Sequence, residues 1–174
     1  GIFGLERLEQ SADADAVLAS LIRDDSHRER RQFHLIDAQG HTACWTGDDC
    51  GGWAGHRHGQ NWSVAGNCLV SEQVLIAMEE AFTSSDPQWK LGRRLLVALQ
   101  AGEALGGDHR SETSTSAALQ ISGEAAFPLL DLRVDFRDAA VTDLVQLYER
   151  SQELWMQQWR DSFAELPRLN RLVS

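Results

Sequence analysis

The stretch Arg31–Val70, RQFHLIDAQGHTACWTGDDCGGWAGHRHGQNWSVAGNCLV, is where the apolar period changes from helix to strand, and its reading decides the class of fold. From Gln32 the residues alternate: Phe33 and Leu35 point one way, Gln32, His34 and Ile36 the other, as strand side chains must. Asp37-Ala38-Gln39-Gly40 reads as a hairpin turn, with Gly40 able to take the positive φ such turns need. His41 to Thr46 returns as a second strand with Ala43 and Trp45 on one face. A loop from Gly47 to Gln60, crowded with Gly, Trp and His, is expected next, then a third strand from about Asn61 to Leu69. Loops of that composition, set between alternating strands, are where binding and catalytic groups concentrate.

Outward from this stretch the period is helical. Gly4 to Gln10 reads as a short helix. Ser11 is placed as the N-cap of a second, in which Ala14, Val17, Leu18, Leu21 and Ile22 recur at helical spacing until Asp24-Asp25-Ser26 breaks it. Beyond Val70, Ser71 with Glu72 is read as the cap of a helix carrying Val74, Leu75, Met78, Ala81 and Phe82, stopped by Asp86-Pro87. Another helix carries Leu91, Leu95, Ala98, Leu99 and Leu105 and ends at Gly106-Gly107. Strands are expected at Ser116–Ser122 and Leu129–Phe136. One long amphipathic helix then runs from about Ala140 to Glu165, with Leu144, Tyr148, Trp155, Trp159 and Leu166 along its stripe and a fraying tail behind it. Hairpin-linked strands grouped between groups of helices predict a single α+β domain over residues 1–174, with antiparallel sheets under helix layers.

Composition narrows the partners. At 174 residues and 43% hydrophobic content the chain has enough apolar surface for a sizeable core. Its formal net charge of -10 repels phosphate backbones, so neither nucleic acid nor an anionic membrane is an expected partner. The one basic cluster, Arg28-Glu29-Arg30-Arg31, is interrupted by an acid and reads as a solvated face. No run reaches the ~20 apolar residues of a membrane helix, and no signal peptide opens the sequence. Three cysteines, Cys44, Cys50 and Cys68, make no framework spacing and fit reduced thiols in a cytoplasmic protein. The start at Gly1, directly on helix-like sequence, is read as the loss of a leading segment.

Five motifs recur in one order. They are HRERRQFHLIDAQGHTACWTG (27–47), the W-x-G-H of Trp53–His56, the SV-x-GN-x-L of Ser63–Leu69, the AGE-x-x-GGD of Ala101–Asp108 with SAAL at Ser116–Leu119, and DLRVD at 131–135. In this the chain resembles the family called domain of unknown function 1028, grouped with the N-terminal-nucleophile (Ntn) hydrolases. The resemblance covers nearly the whole chain. It departs from the family pattern between Asp108 and Ser116, where a Gly and a Gln are lacking and two residues are extra.

The resemblance implies a four-layer αββα sandwich whose first strand begins with a Thr, Ser or Cys nucleophile, and these leading strands are expected to be missing from the chain. An Ntn hydrolase uses one residue twice, the side chain as nucleophile and the free α-amino group as base. Gly1 has the amine alone. The implied function is therefore that of a hydrolase of the amidohydrolase type, acting on a small amide or peptide-like substrate with a nucleophile outside these residues. A non-catalytic small-ligand-binding or regulatory module on the same scaffold is the other reading, and fold does not choose between them. A homo-oligomer is expected, and no cofactor.

Several residues are candidates for a site. His56, in the Gly-rich loop, is a donor or base, or else a structural residue holding the loop. Gly66 and Asn67 are a plausible oxyanion pair, a backbone N–H and a side-chain amide, or a locally satisfied strand end. Asp108 and Ser116 sit at loop–strand junctions, as caps or as pocket residues. Trp53 has a better claim to a ligand than Trp45 or Trp62, which alternate with strand positions. Asp131, Arg133 and Asp135 share one strand face at about 6.6 Å intervals, either anchoring a charged substrate or forming an ion-paired face, buried or exposed. His56 and His58 with Cys50 and Cys68 show neither CxxC nor HExxH spacing, so no metal is expected. Cys44 is read as an inert thiol.

Overall fold

In the computed structural model, which describes residues 2–10, 13–108, 110, 116–123 and 127–164, the chain forms two units, Gly1–Ser114 and Thr115–Ser174. The first opens with helices α1 (Ile2–Gln10) and α2 (Ala14–Asp24). Arg7 of α1 ties the two together, bonding Ser20 Oγ at 2.7 Å and Asp24 at 2.8 Å. The cap of α2 is Asp13, whose carboxylate accepts the N–H groups of Asp15 and Ala16. This corrects the cap assigned to Ser11, which lies outside the described residues; a carboxylate at the positive end of a helix does the same work.

Strands β1 (Gln32–Ile36) and β2 (Thr42–Thr46) pair antiparallel, Phe33 opposite Trp45 and His34 opposite Cys44. Their turn is built as the sequence reads. Asp37 accepts the N–H groups of Gln39 and His41 at 2.9 Å each, and Gly40 has φ 81°. The apolar face of this hairpin packs on α2: Ala14, Leu18 and Ala43 are buried, with Ile22, Phe33, Leu35 and Trp45 against them.

Half of the expected loop Gly47–Gln60 is a strand. β3 (Trp53–Gly59) pairs antiparallel with β4 (Trp62–Leu69) through a tight turn in which Asn61 takes φ 66°. Composition hides β3 because its alternation is of polar groups and glycine, His56 and His58 on one face and Arg57 on the other, with no apolar stripe to mark it. Arg57 turns towards α3 (Gln73–Thr83), where it pairs with Glu79 and lies 3.8 Å from Glu72. Glu72, not Ser71, stands at the N-cap of α3, in helical backbone conformation and without a side-chain cap, contrary to the expected capping pair.

Val74 and Leu75 of α3 are buried, and α4 (Leu91–Ala104) packs beside it. A side chain at Gly102 would meet Met78 at 2.8 Å, so the glycine is what lets the helices approach. The buried face of α4 is Gly92, Leu96, Ala98 and Gly102; Leu91, Leu95 and Leu105 of the expected stripe are exposed. Gly106 and Gly107, at φ 97° and 47°, end the helix, Gly107 N–H returning to Gly102 O.

In the second unit β5 (Ser116–Ile121) pairs antiparallel with β6 (Leu130–Asp135), and α5 (Ala140–Ser151) packs on both. Leu119, Val134, Val141, Leu144 and Tyr148 are buried there. The single long helix expected here is two. Ser151 Oγ bonds back to Tyr148 O, and the N–H groups of Gln152 and Glu153 close onto Glu149 and Arg150 three residues behind, which tightens and stops α5. α6 (Leu154–Ala164) follows, with Trp155 and Trp159 exposed. Leu166 and the tail lie outside the described residues. The chain is thus a mixed α+β protein of six helices and short antiparallel sheets among its described residues.

Candidate functional site

Alternation on β1 and β2 leaves a polar face opposite the α2 core, and a polar face needs polar partners. The second hairpin supplies them. Thr42 Oγ1 donates to Gly59 O at 3.0 Å, and His34 Nδ1 lies 3.1 Å from Ser63 Oγ. Thr46 Oγ1 lies 2.8 Å from His56 Nδ1. The two N–H groups of Gln32 Nε2 are shared among three acceptors, Gly66 O (2.9 Å), Gly55 O (3.0 Å) and Thr46 Oγ1 (3.1 Å), and its Oε1 accepts from Asn67 Nδ2 (2.9 Å). The seam between the hairpins is therefore a network of amides, hydroxyls and imidazoles.

Three imidazoles form a row along it. His34 and His56 meet edge to face at 6.3 Å between centroids, and His58 is 6.1 Å beyond His56. Burial, and then the neighbouring His56 and His58, hold His34 below the ordinary imidazole range; burial and His58 do the same to His56. Both are neutral at pH 7, able to accept a proton at one nitrogen and donate at the other. His34 Nε2 is buried without a hydrogen-bond partner among the described residues. Cys44 Sγ lies 3.6 Å from His34 Nδ1, and burial pushes its thiol up, as an unreactive cysteine requires. Among the described residues no group of three or more His, Cys, Asp or Glu is placed to hold a metal ion.

Of the residues singled out from sequence, the seam gathers His56, Gly66 and Asn67. Trp53 stands beside them at the start of β3, its ring so close over Gly55 that a Cβ there would lie 2.6 Å from it. Gly55 and Gly66 are directly opposite each other in the ladder. Asp108 lies at the end of β4, bridged to Leu69, and its carboxylate accepts the Arg110 N–H at 2.9 Å and pairs with the Arg110 guanidinium. Asp108 thus anchors the chain after α4.

Ser116, Asp131, Arg133 and Asp135 belong to the second unit. Ser116 is exposed opposite Asp135; Arg133 pairs with Asp135 at 2.8 Å; Asp131 accepts from Gln120 at 3.3 Å. The row is solvent-exposed, which removes the buried-charge reading, and its ion pair is of small energetic weight.

Gln32, His34, Thr46 and Ser63 were not singled out, yet they complete the network. The available signal was the alternation itself, which puts Gln32 and His34 on the face away from Phe33 and Leu35.

Residues 1–144 match a family described as a family of unknown function, DUF1028. Among solved structures the chain is similar to the crystal structure of a DUF1028 protein from Silicibacter pomeroyi, at 29% identity and a TM-score of 0.80, over 92% of this chain and 70% of that one. No curated protein matches the sequence.

Proposed function

The chain belongs to the DUF1028 family, and from that premise we propose that it is an Ntn-hydrolase-like amidohydrolase of the cytoplasm. It cuts a small amide or peptide-like bond with a nucleophile supplied by a residue outside Gly1–Ser174. The observation that carries this reading is the polar seam. In the first unit α2 covers one hairpin, α3 the other, and the two hairpins meet through Gln32, Thr46, His56 and Asn67. That order agrees with an αββα sandwich, and a seam of neutral donors and acceptors is suited to an amide, which itself offers one N–H and one C=O.

The chemistry follows from the parts. The hydroxyl or thiol of the nucleophile adds to the carbonyl carbon while its α-amino group takes the proton, giving a tetrahedral oxyanion. Asn67 keeps one amide N–H beyond the one engaged by Gln32 Oε1, and that N–H is the oxyanion donor. The C–N bond then breaks, the amine leaves with the proton, and water resolves the ester or thioester. Neutral His56 lines the site, and Trp53 walls it. Leu154, Trp155 and Trp159, exposed on α6, are the apolar surface available for the homo-oligomer that belongs to the same reading.

The test is turnover by the full-length natural polypeptide on a panel of small amides, read as amine release and as an acyl-enzyme mass. Release that disappears when the nucleophile is replaced by Ala, and falls about 10²–10³-fold in Asn67→Ala, supports the proposal. Ligand-induced thermal stabilisation with neither turnover nor an acyl-enzyme assigns the chain instead to non-catalytic binding modules on this scaffold.

A further inference from the structure

One primary amide touches strands β1, β2, β3 and β4 of the first unit. Gln32 stands on β1, and its hydrogen bonds reach Thr46 on β2, Gly55 on β3, and Gly66 and Asn67 on β4. The two backbone carbonyls can only accept, so the end of the amide facing them is the nitrogen, and Oε1 is left to face Asn67 Nδ2. Thr46 Oγ1, 3.1 Å from that nitrogen, shares one of its two N–H groups with a carbonyl, since an amide nitrogen accepts nothing. A hydroxyl oxygen accepts twice and donates once, so the 2.8 Å contact with His56 Nδ1 is open to either direction; donation from Thr46 is the direction that uses its hydroxyl proton. For Nδ1 to accept, the imidazole proton must sit on Nε2.

We propose that Gln32 is a positioning residue of the seam: through Thr46 it sets the tautomer of His56, and through Oε1 it sets the orientation of the Asn67 amide. The role of these groups in catalysis rests on the amidohydrolase reading; the tautomer and the amide orientation do not. A side chain serving only as a rivet between hairpins would leave His56 indifferent to which groups donate and which accept. The positioning role makes His56 depend on the polarity of position 32 and on the hydroxyl of position 46.

The experiment is ¹⁵N NMR of the full chain labelled at histidine, with the His56 signals identified by their absence in His56→Gln. At neutral pH the wild-type chain is expected to show His56 protonated at Nε2 with an unprotonated Nδ1. Gln32→Glu still accepts from Asn67 but donates nothing, so the Thr46 proton turns to the carboxylate. His56 is then expected to move towards the Nδ1-protonated form and to titrate at higher pH. Thr46→Val is expected to lose the wild-type signature and Thr46→Ser to keep it, and this pair decides the matter even where Gln32→Glu does not fold. A wild-type His56 protonated at Nδ1, or a signature unchanged in both Gln32→Glu and Thr46→Val, overturns the positioning role whatever the turnover assays give. Turnover in wild type with kcat, rather than KM, falling in Gln32→Glu ties the positioning to catalysis. A chain with the expected tautomer and no turnover keeps the positioning and loses only the amidohydrolase reading.

Discussion

His34 and His56 give the seam its pH dependence. Their hydrogen-bond and close neighbours, Ser63, Cys44 and Thr46, are uncharged, and the Arg57–Glu79 pair belongs to the other face of β3. In the unfolded chain both imidazoles titrate near about 6.5, and in the fold both are held lower. The unfolded state therefore binds protons first. The stability these two groups contribute is fully present above about 6.5 and is lost as pH falls through that value towards the lowered folded ones. Melting temperature should decline from neutral pH towards about pH 5, and His34→Gln with His56→Gln should flatten that decline. A profile that is the same in both chains contradicts the assignment. Protonating His34 also has a specific cost, because its buried Nε2 would carry an N–H with no acceptor among the described residues.

At the scale of elements, close approach governs what each position tolerates. A Cβ at Gly47, just after β2, would lie 2.3 Å from the backbone of Glu29, which cannot rotate away as a side chain can. Gly47→Ala should cost roughly 1–3 kcal/mol, readable by denaturant unfolding. Leu75 on α3 and Leu144 on α5 are fully buried, and either one changed to Ala should cost roughly 2–5 kcal/mol. The elements were legible where the sequence pattern is regular: β1, β2, β4, β5, β6 and helices α1 to α4 appear close to where alternation or helical spacing puts them. β3 was not, because its alternation is of His56 and His58 against Arg57, with no apolar stripe, and its pairing depends on β4. The break after α5 was not either, since the stop is a serine hydroxyl bonding its own helix, which no periodicity records.

For the whole molecule, charge and family set the expectations. With a formal net charge of -10, the chain should give no mobility shift with duplex DNA at physiological salt; a shift would contradict the exclusion of nucleic acid. The motif order from His27 to Asp135 was enough to indicate the family that residues 1–144 match. The site was only half legible. His56, Gly66 and Asn67 stood out as residue types suited to amide chemistry, whereas Gln32 and Thr46 matter through contacts with residues 10 to 35 positions away, which pairing brings together and linear spacing does not. The central claim is an amidohydrolase whose nucleophile leads the mature polypeptide. Its most direct test is the intact mass and N-terminal sequence of the natively produced full-length protein. The account predicts a first residue of Thr, Ser or Cys ahead of the α1 segment; a mature chain led by any other residue would contradict it.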